Sequence, residues 1–297
     1  MKKKNNQPYS KNLTAFLFLF PFLILYTIFT IWPVIQGVYV SLHKWGLMGK
    51  IRFLGFQNYT RFLQDKYFWE ALWHTTWFVI ISVPLLVAVP LCLGLLANRG
   101  FRIKKFLRIS YYVPTVLSVA VISRIARWFF EPYNGVLSFL FHDWGILAPD
   151  QEIMWFQKIG LLWTVVTTVT VWWTVGFSMM LVISALQDIP EQLYEAAELD
   201  GAGKTRQLFS ITLPLLKPVT YLILLLQMIA SFKVFGQIQL ISGGGPGTAT
   251  RPLIQYIYDS AFRQSDMGYG AAMSYALFII LAALSYIQLR IQRKTEE

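Results

Sequence analysis

Six stretches of mostly apolar residues, separated by polar, basic or glycine-rich segments, set the pattern of the chain: Leu13 to Val40, Leu72 to Ala97, Tyr111 to Phe130, Ile159 to Ile183, Val219 to Ile241 and Tyr269 to Leu289. A bilayer core takes about 20 predominantly apolar residues per helix. Each stretch is therefore expected to form one transmembrane helix. The first follows a basic start, "MKKKNNQPYSKN", which resembles a signal peptide, but its apolar run is too long and no small-residue cleavage site follows, so it reads as a retained span. Pro21, Pro33, Pro84, Pro90 and Pro114 lie in or at the ends of spans. Membranes tolerate such prolines where neighbouring groups re-satisfy the freed backbone. The expected organisation is a tail at 1–12, a six-span domain at 13–289 that contains a polar loop at 188–217, and a second tail at 290–297.

Composition supports the membrane assignment. The chain is 56% hydrophobic and 14% charged, against roughly 25% charged in a soluble domain. The net charge of +11 does not point to nucleic acid, because the basic residues form short clusters beside apolar runs and not one stripe with interleaved aromatics. Lys2, Lys3, Lys4 and Lys11 precede span one, Arg99, Arg102, Lys104, Lys105 and Arg108 crowd the link between spans two and three, and Arg290, Arg293 and Lys294 follow span six. These flanks share one side of a six-span topology, and Lys/Arg bias marks that side as the cytoplasm, with both termini there. Lys44, Lys50, Arg52, Arg61 and Lys66 fall on the outer side, in a segment whose length dilutes the rule. Cys92 is the only cysteine, so no internal disulfide or cysteine metal site is expected. His43, His74 and His142 lack metal-ligand spacing, and no cofactor is expected.

The polar island "YEAAELDGAGKTRQLFSITLP", Tyr194 to Pro214, falls on the cytoplasmic side. Pro190 and Glu191 suit a helix start, and "PEQLYEAAELD" is made of good helix formers. Gly201 stands where a left-handed C-terminal cap would sit. A helix, a glycine turn and a second short segment ending at Pro214 are expected. Leu193, Ala196, Ala197 and Asp200 share one side at three- and four-residue spacing, forming a small-residue face. A helix this short is marginal alone and needs a partner. The "GAGKT" string is not a phosphate-cradling loop: G-x-x-x-x-G-K-[ST] requires glycine at 198, which is Glu198, and the preceding segment is an acidic helix instead of a buried strand.

Glu195, Ala196, Ala197, Gly201, Ile211, Leu213 and Pro214 fill every fixed position of an E-A-A-x3-G-x9-I-x-L-P loop. On these residues the chain resembles the permeases of binding-protein-dependent ABC importers. From Phe232 to Arg290 it resembles the sugar-permease branch related to maltose and glycerol-phosphate permeases, and with the six-span layout the resemblance covers nearly the whole chain. The resemblance implies an all-α integral membrane protein, a six-span bundle whose loop forms a cytoplasmic coupling helix seated in a separate ATPase subunit. Glu195, Ala196, Ala197, Asp200, Gly201, Ile211, Leu213 and Pro214 would form that docking loop. The implied partners are a second homologous permease, two ATPase subunits, an extracellular solute-binding protein, a sugar and membrane lipid, in the cytoplasmic membrane of a prokaryote. ATP hydrolysis would belong to the separate subunit and not to this chain. An amphipathic helix lying on the membrane is the competing reading of the island, but it requires an apolar face that this segment lacks.

Trp173 and Phe177 lie one turn apart in span four, and Gln227 and Ser231 one turn apart in span five, both near mid-membrane. Counted outward from the loop, they correspond to sugar-contacting positions of the resembling permeases. Aromatic packing and interhelical hydrogen bonds are the alternative. Arg124 and Arg127, toward the outer end of span three, either snorkel or face a cavity, and Lys233 keeps an anionic or phosphorylated solute open. "SGGGPGTATRP", Ser242 to Pro252, reads as a flexible outer loop, and the resemblance puts it near the surface that receives the solute-binding protein. A self-contained secondary transporter or channel would show inverted repeats, interrupted spans and intramembrane carboxylates. No Asp or Glu falls within a span. A membrane enzyme would need a carboxylate pair, a His cluster or an activated nucleophile, and none is legible.

Overall fold

The computed structural model describes residues 8–98 and 104–296. Lys2, Lys3, Lys4, Arg99 and Arg102 lie outside the described residues. α1 (Pro8–Tyr26) continues through a π-helical turn at Thr27–Ile31 into α2 (Trp32–Ser41), and β1 (His43–Gly46) and β2 (Gly49–Phe53) form an antiparallel hairpin. Then come α3 (Gln57–Gln64), α4 (Lys66–Asn98), α5 (Lys104–Val116), α6 (Val119–Phe129), α7 (Val136–Asp143) and α8 (Ile159–Gln187). The island contains α9 (Glu191–Leu199), α10 (Lys204–Gln207), a π turn at Leu208–Thr212 and α11 (Leu213–Leu215). α12 (Lys217–Phe232), α13 (Gly236–Ile241), α14 (Leu253–Tyr258), a third π turn at Asp259–Arg263 and α15 (Met267–Glu296) follow.

Among the described residues, four stretches are helical, apolar and long enough to cross a bilayer: Leu13–Ser41, Lys66–Ala97, Ile159–Gln187 and Met267–Arg293. The other two expected spans are broken. Span three, expected as one helix from Tyr111 to Phe130, is two helices meeting at 108°. Ser118 is the cause: it is extended (φ −68°, ψ 153°) and caps α6 by accepting from the Val121 amide at 3.4 Å. Span five, expected from Val219 to Ile241, stops at Phe232 and resumes as α13 after Phe235, whose φ and ψ of −151° and −62° are not helical. At its other end α12 meets the α10–α11 segment at 58°. With each bent pair taken as one span, the described residues offer up to six, by length and composition.

Two π turns precede prolines. The Trp32 amide bonds five residues back to Thr27 ahead of Pro33, and the Leu213 amide bonds five back to Leu208 ahead of Pro214. A proline ring clashes with the carbonyl four residues earlier, and one wide turn before it relieves that crowding.

Two compact units divide the chain, Met1–Gln64 with Ile257–Leu277 and Asp65–Tyr256 with Phe278–Glu297. In the first, buried Asn58 donates to the carbonyls of Ser41 (2.8 Å) and His43 (3.0 Å), tying α3 to the end of α2 and the start of the hairpin. Arg61 pairs with Asp266 at 2.6 Å and stacks 3.9 Å from the Tyr269 ring centre. Among the described residues, although Tyr275 Oη donates to the Val34 carbonyl, no position in the apolar part of Leu13–Ser41 is buried. Lipid or another subunit must cover it.

In the second unit α8 is the central helix, with Leu162, Val165, Val166, Met179, Val182 and Ile183 all buried. One core joins α4, α6, α8 and α13 through Phe78, Ile122, Trp163, Val169 and Ile238. Gly176 lets α5 close on α8: a Cβ there would sit 2.3 Å from the Tyr111 carbonyl oxygen and 2.7 Å from the Tyr112 Cα. Because backbone atoms cannot move aside cheaply, Gly176→Ala is expected to lower stability by about 1–3 kcal/mol. Gly160→Ala, on the same helix with nothing within 4 Å of the new methyl, is expected to be neutral or mildly stabilising. Thermal unfolding of the detergent-solubilised variants checks the pair, and equal effects would refute the close-contact account.

Candidate functional site

The island folds from its own sequence signals. Pro190 is the N-cap of α9, one position earlier than a first-turn proline, and Glu191 lies at the positive end of the helix dipole. At the other end Asp200 is the C-cap and Gly201 takes φ +78°. The Gly201 amide bonds to the Glu198 carbonyl (3.0 Å) and the Ala202 amide to the Ala197 carbonyl (2.8 Å). This is the paired Schellman closure, and it needs the left-handed conformation glycine adopts without penalty. Leu193, Glu195, Ala196, Leu199, Asp200 and Gly201 are exposed and Ala197 is half-buried. Leu199 is 90% exposed, so among the described residues nothing covers that end of the helix. Ile211, Leu213 and Pro214 are half-buried on the return segment.

Polar bonds hold the helix against its return. Tyr194 Oη and Thr212 Oγ1 lie 3.0 Å apart, and buried Gln207 donates to the Ala202 carbonyl at 3.2 Å and to Glu198 Oε1 at 3.4 Å. Lys204 Nζ sits 2.6 Å from Glu198 Oε1. The lysine of "GAGKT" is thus occupied by the carboxylate that stands where a phosphate loop would have glycine. Hydrogen bonds from Lys204 and Gln207, with the lysine's charge, hold the Glu198 carboxyl below its ordinary range. Tyr194, Gln207 and Thr212 carry no sequence motif, and these bonds were not legible beforehand.

The mid-membrane candidates occupy different environments. Trp173 Nε1 donates to the Leu117 carbonyl at 3.0 Å, and Thr115 Oγ1 donates to the Trp173 carbonyl at 2.9 Å, across the break between α5 and α6. Gln227 Nε2 donates to Ser178 Oγ at 2.9 Å, and Ser82 Oγ donates to Ser231 Oγ at 3.3 Å. Gln227 and Ser231 are enclosed, at 8% and 3% exposure, whereas Phe177 is 47% exposed. The amide is thus enclosed by protein, whereas the Phe177 ring is open. Lys233 is exposed at the C-cap of α12, where its charge complements the helix dipole.

The glycine-rich segment from Ser242 to Pro252 is more ordered than its composition implies. Gly243, Gly244 and Gly247 have positive φ, Thr250 donates to the Gly245 carbonyl at 2.6 Å, and Gln255 donates to the Gly243 carbonyl at 2.7 Å. The Leu253 amide donates to Thr75 Oγ1 at 2.8 Å, which pins the segment to α4. The three histidines each approach a carbonyl: His43 that of Tyr39 (2.6 Å), His74 that of Arg251 (3.2 Å) and His142 that of Gln151 (3.0 Å).

The described residues thus form a helical chain of apolar spans, two of them interrupted, with an exposed, glycine-capped helix between the fourth and the fifth. The chain belongs to the family described as "Binding-protein-dependent transport system inner membrane component", whose profile matches residues 90–297. It is 35% identical over 95% of its length to the sulfoquinovosyl glycerol transport system permease protein SmoG of Agrobacterium fabrum, covering 91% of that protein. It is 31% identical over 94% of its length to the trehalose/maltose transport system permease protein MalF of Thermococcus litoralis, covering 93% of it. The fold matches a chain of a bacterial ABC transporter that imports the acidic polysaccharide alginate, with a TM-score of 0.85, 20% identity and coverage of 97% of this chain and 98% of that one. The resemblance drawn from the E-A-A loop thus holds for the family and for the helical permease fold.

The Glu198 bonds have a pH signature. A carboxyl whose pKa is lowered on folding contributes stability above its ordinary value, here 4.5, and that contribution is lost as the pH falls through the folded value. Amide exchange protection across residues 200–207, referenced to an unstructured peptide, is therefore expected to fall on acidification below about pH 4.5. Glu198→Gln should remove that acid dependence, and Glu191→Gln should keep it.

Proposed function

We propose that the chain is the permease subunit of an ATP-driven importer that passes a saccharide from an extracellular binding protein across the cytoplasmic membrane. The observation that carries this reading is α9: a short, Schellman-capped helix whose Leu193, Ala196 and Asp200 side lies open. An isolated helix of this length is marginal, so its exposed face fits a surface built for a partner. Glu195, Ala196, Ala197, Asp200 and Gly201 form that dock, with Ile211, Leu213 and Pro214 setting the return, and the partner is one of two ATPase subunits. A second homologous permease covers apolar surface that this chain leaves bare. Both termini and the 188–217 loop face the cytoplasm. The chain itself performs no covalent chemistry, and ATP is hydrolysed in the separate subunits.

On this reading the closed ATPase state and the loaded binding protein favour the same arrangement of the spans, which is how hydrolysis drives directional passage. Trp173, Phe177, Gln227, Ser231 and Lys233 are proposed for the substrate path. For Gln227 and Ser231 this requires the bonds to Ser178 and Ser82 to exchange for bonds to solute hydroxyls when the spans move. A saccharide cargo is supported by relatives described as transporting sulfoquinovosyl glycerol, trehalose/maltose and arabinooligosaccharides. The interrupted spans three and five are one mark of a self-contained secondary transporter. The six apolar stretches of the sequence, however, hold no carboxylate for ion coupling, Glu70 falling in the first turns of Lys66–Ala97 ahead of the apolar run from Leu72.

The test is ATPase activity that co-purifies with the tagged chain from native membranes in mild detergent. Wild type is expected to carry the activity. Gly201→Asp is expected to lose or uncouple it, since an L residue in the left-handed region costs about 1–2 kcal/mol and the carboxylate adds charge at the dock. Gly203→Ala, at an ordinary φ of −68° with open space around it, should retain it. Absence of ATPase with wild type, under conditions that preserve other membrane complexes, would overturn the reading in favour of a self-contained transporter.

A further inference from the structure

A concavity lies at the end of span three that the sequence pattern places outside. It has a volume of about 710 Å³ and is lined by Arg124, Arg127, Trp128, Glu131, Tyr133 and Gln157, among others. Arg124 and Arg127 are three residues apart on α6 and so project from neighbouring positions of one face. Both are exposed, and among the described residues neither guanidinium has a carboxylate within ion-pair distance. Trp128 and Tyr133 are each 62% exposed beside them. Glu131, which lines the same cleft, leaves it with a net charge of +1 from two arginines and one carboxylate.

Snorkelling explains why an arginine near a span end reaches outward. It does not explain why two unpaired guanidiniums share a concavity with two exposed aromatic rings and an amide. The volume falls in the ligand-pocket range of about 300–1,000 Å³. A guanidinium presents a planar fork of donors that matches a carboxylate, sulfonate or phosphate in two parallel bonds. Aromatic faces cover the apolar side of a sugar ring while Gln157 is left to meet hydroxyls.

We infer that this cleft is a binding subsite for an anionic saccharide, with Arg124 and Arg127 holding the acidic group, Trp128 and Tyr133 against the ring, and Glu131 limiting the affinity so that the solute is released inward. The inference rests on the importer reading and narrows its cargo to sugars that carry a carboxylate, sulfonate or phosphate.

The experiment uses the assembled importer in nanodiscs and equilibrium binding of three probes: a glucuronate-terminated disaccharide, sulfoquinovosyl glycerol and neutral trehalose. Wild type is expected to bind at least one anionic probe more tightly than trehalose. Arg124→Gln and Arg127→Gln should each weaken anionic binding about tenfold, the usual size for loss of a charge-assisted hydrogen bond, and leave trehalose unchanged. Glu131→Gln should strengthen anionic binding, a change of opposite sign that general misfolding would not produce. Arg124→Lys, which keeps the charge without the fork, should fall between wild type and Arg124→Gln. Equal weakening of all three probes, or no weakening of either anionic probe, overturns the subsite. If the cleft instead receives an acidic side chain of the solute-binding protein, the arginine substitutions will weaken retention of that protein and leave probe binding intact, which also overturns it. ATP-dependent saccharide uptake by the same complex in proteoliposomes separates the two levels. Uptake that persists without an anionic preference removes the subsite alone, whereas absence of any uptake by wild type removes the importer reading.

Discussion

In hydrocarbon a peptide group released from a helix has no water to bond, so every interruption of a span must be matched by a protein donor or acceptor. This chain interrupts two spans, at Leu117–Ser118 and at Lys233–Phe235, and much of the second unit is arranged around those interruptions. The Trp173 indole supplies the donor for the Leu117 carbonyl, and Thr115 returns a bond to the backbone of α8. Gly176 belongs to the same arrangement, since α5 reaches α8 closely enough for these bonds only where no side chain intervenes. The second break meets the first: α13 packs on α6, and a Cβ on Gly236 would lie 3.0 Å from Val119. Two broken helices resting on each other are stable as a pair where each alone would expose its backbone.

The island solves a different problem. It must stay folded without burying its own face, so its stability has to come from the ends and the return segment. The Schellman closure at Gly201, the Tyr194–Thr212 contact and the Gln207 bonds do this while leaving the outward side of α9 free. The Glu198–Lys204 pair is exposed and contributes little by itself. Its value lies in fixing Lys204 back across the glycine turn, and the same contact removes from "GAGKT" the free lysine that a nucleotide would require.

What was legible in the sequence was whatever depended on local rules. Span positions follow from apolar run length, and the C-cap at Gly201 follows from helix formers ending in glycine. The breaks were not legible, because a serine and a lysine inside apolar runs do not disturb a hydropathy sum. Trp173 shows the limit of residue type as evidence: aromatic and mid-membrane, it fits a sugar platform, yet its indole nitrogen is engaged by a carbonyl that only the break in span three sets free. Gln227 and Ser231 were legible as polar groups needing partners, but their partners, Ser178 and Ser82, are set by tertiary packing. The glycine segment after Ser242 misleads in the other direction. Its composition indicates flexibility, while Thr250 and Gln255 bond its carbonyls and Thr75 anchors the following helix.

These pieces form one mechanical line. The 188–217 loop leads through the 58° bend at Leu216 directly into α12. That helix carries Gln227 and Ser231, bonded to α8 and α4, and ends at the break beside which α13 packs on α6. On the proposed reading, a displacement applied at α9 reaches the Gln227 and Ser231 bonds along a single helix of 16 residues, and beyond them the two broken spans. Packed helices shift between discrete arrangements and do not deform continuously. On the proposed reading, the breaks are where such a shift is taken up: bonds from Trp173, Thr115 and Ser118 can be exchanged there one at a time, whereas moving an unbroken helix would require its whole face to repack.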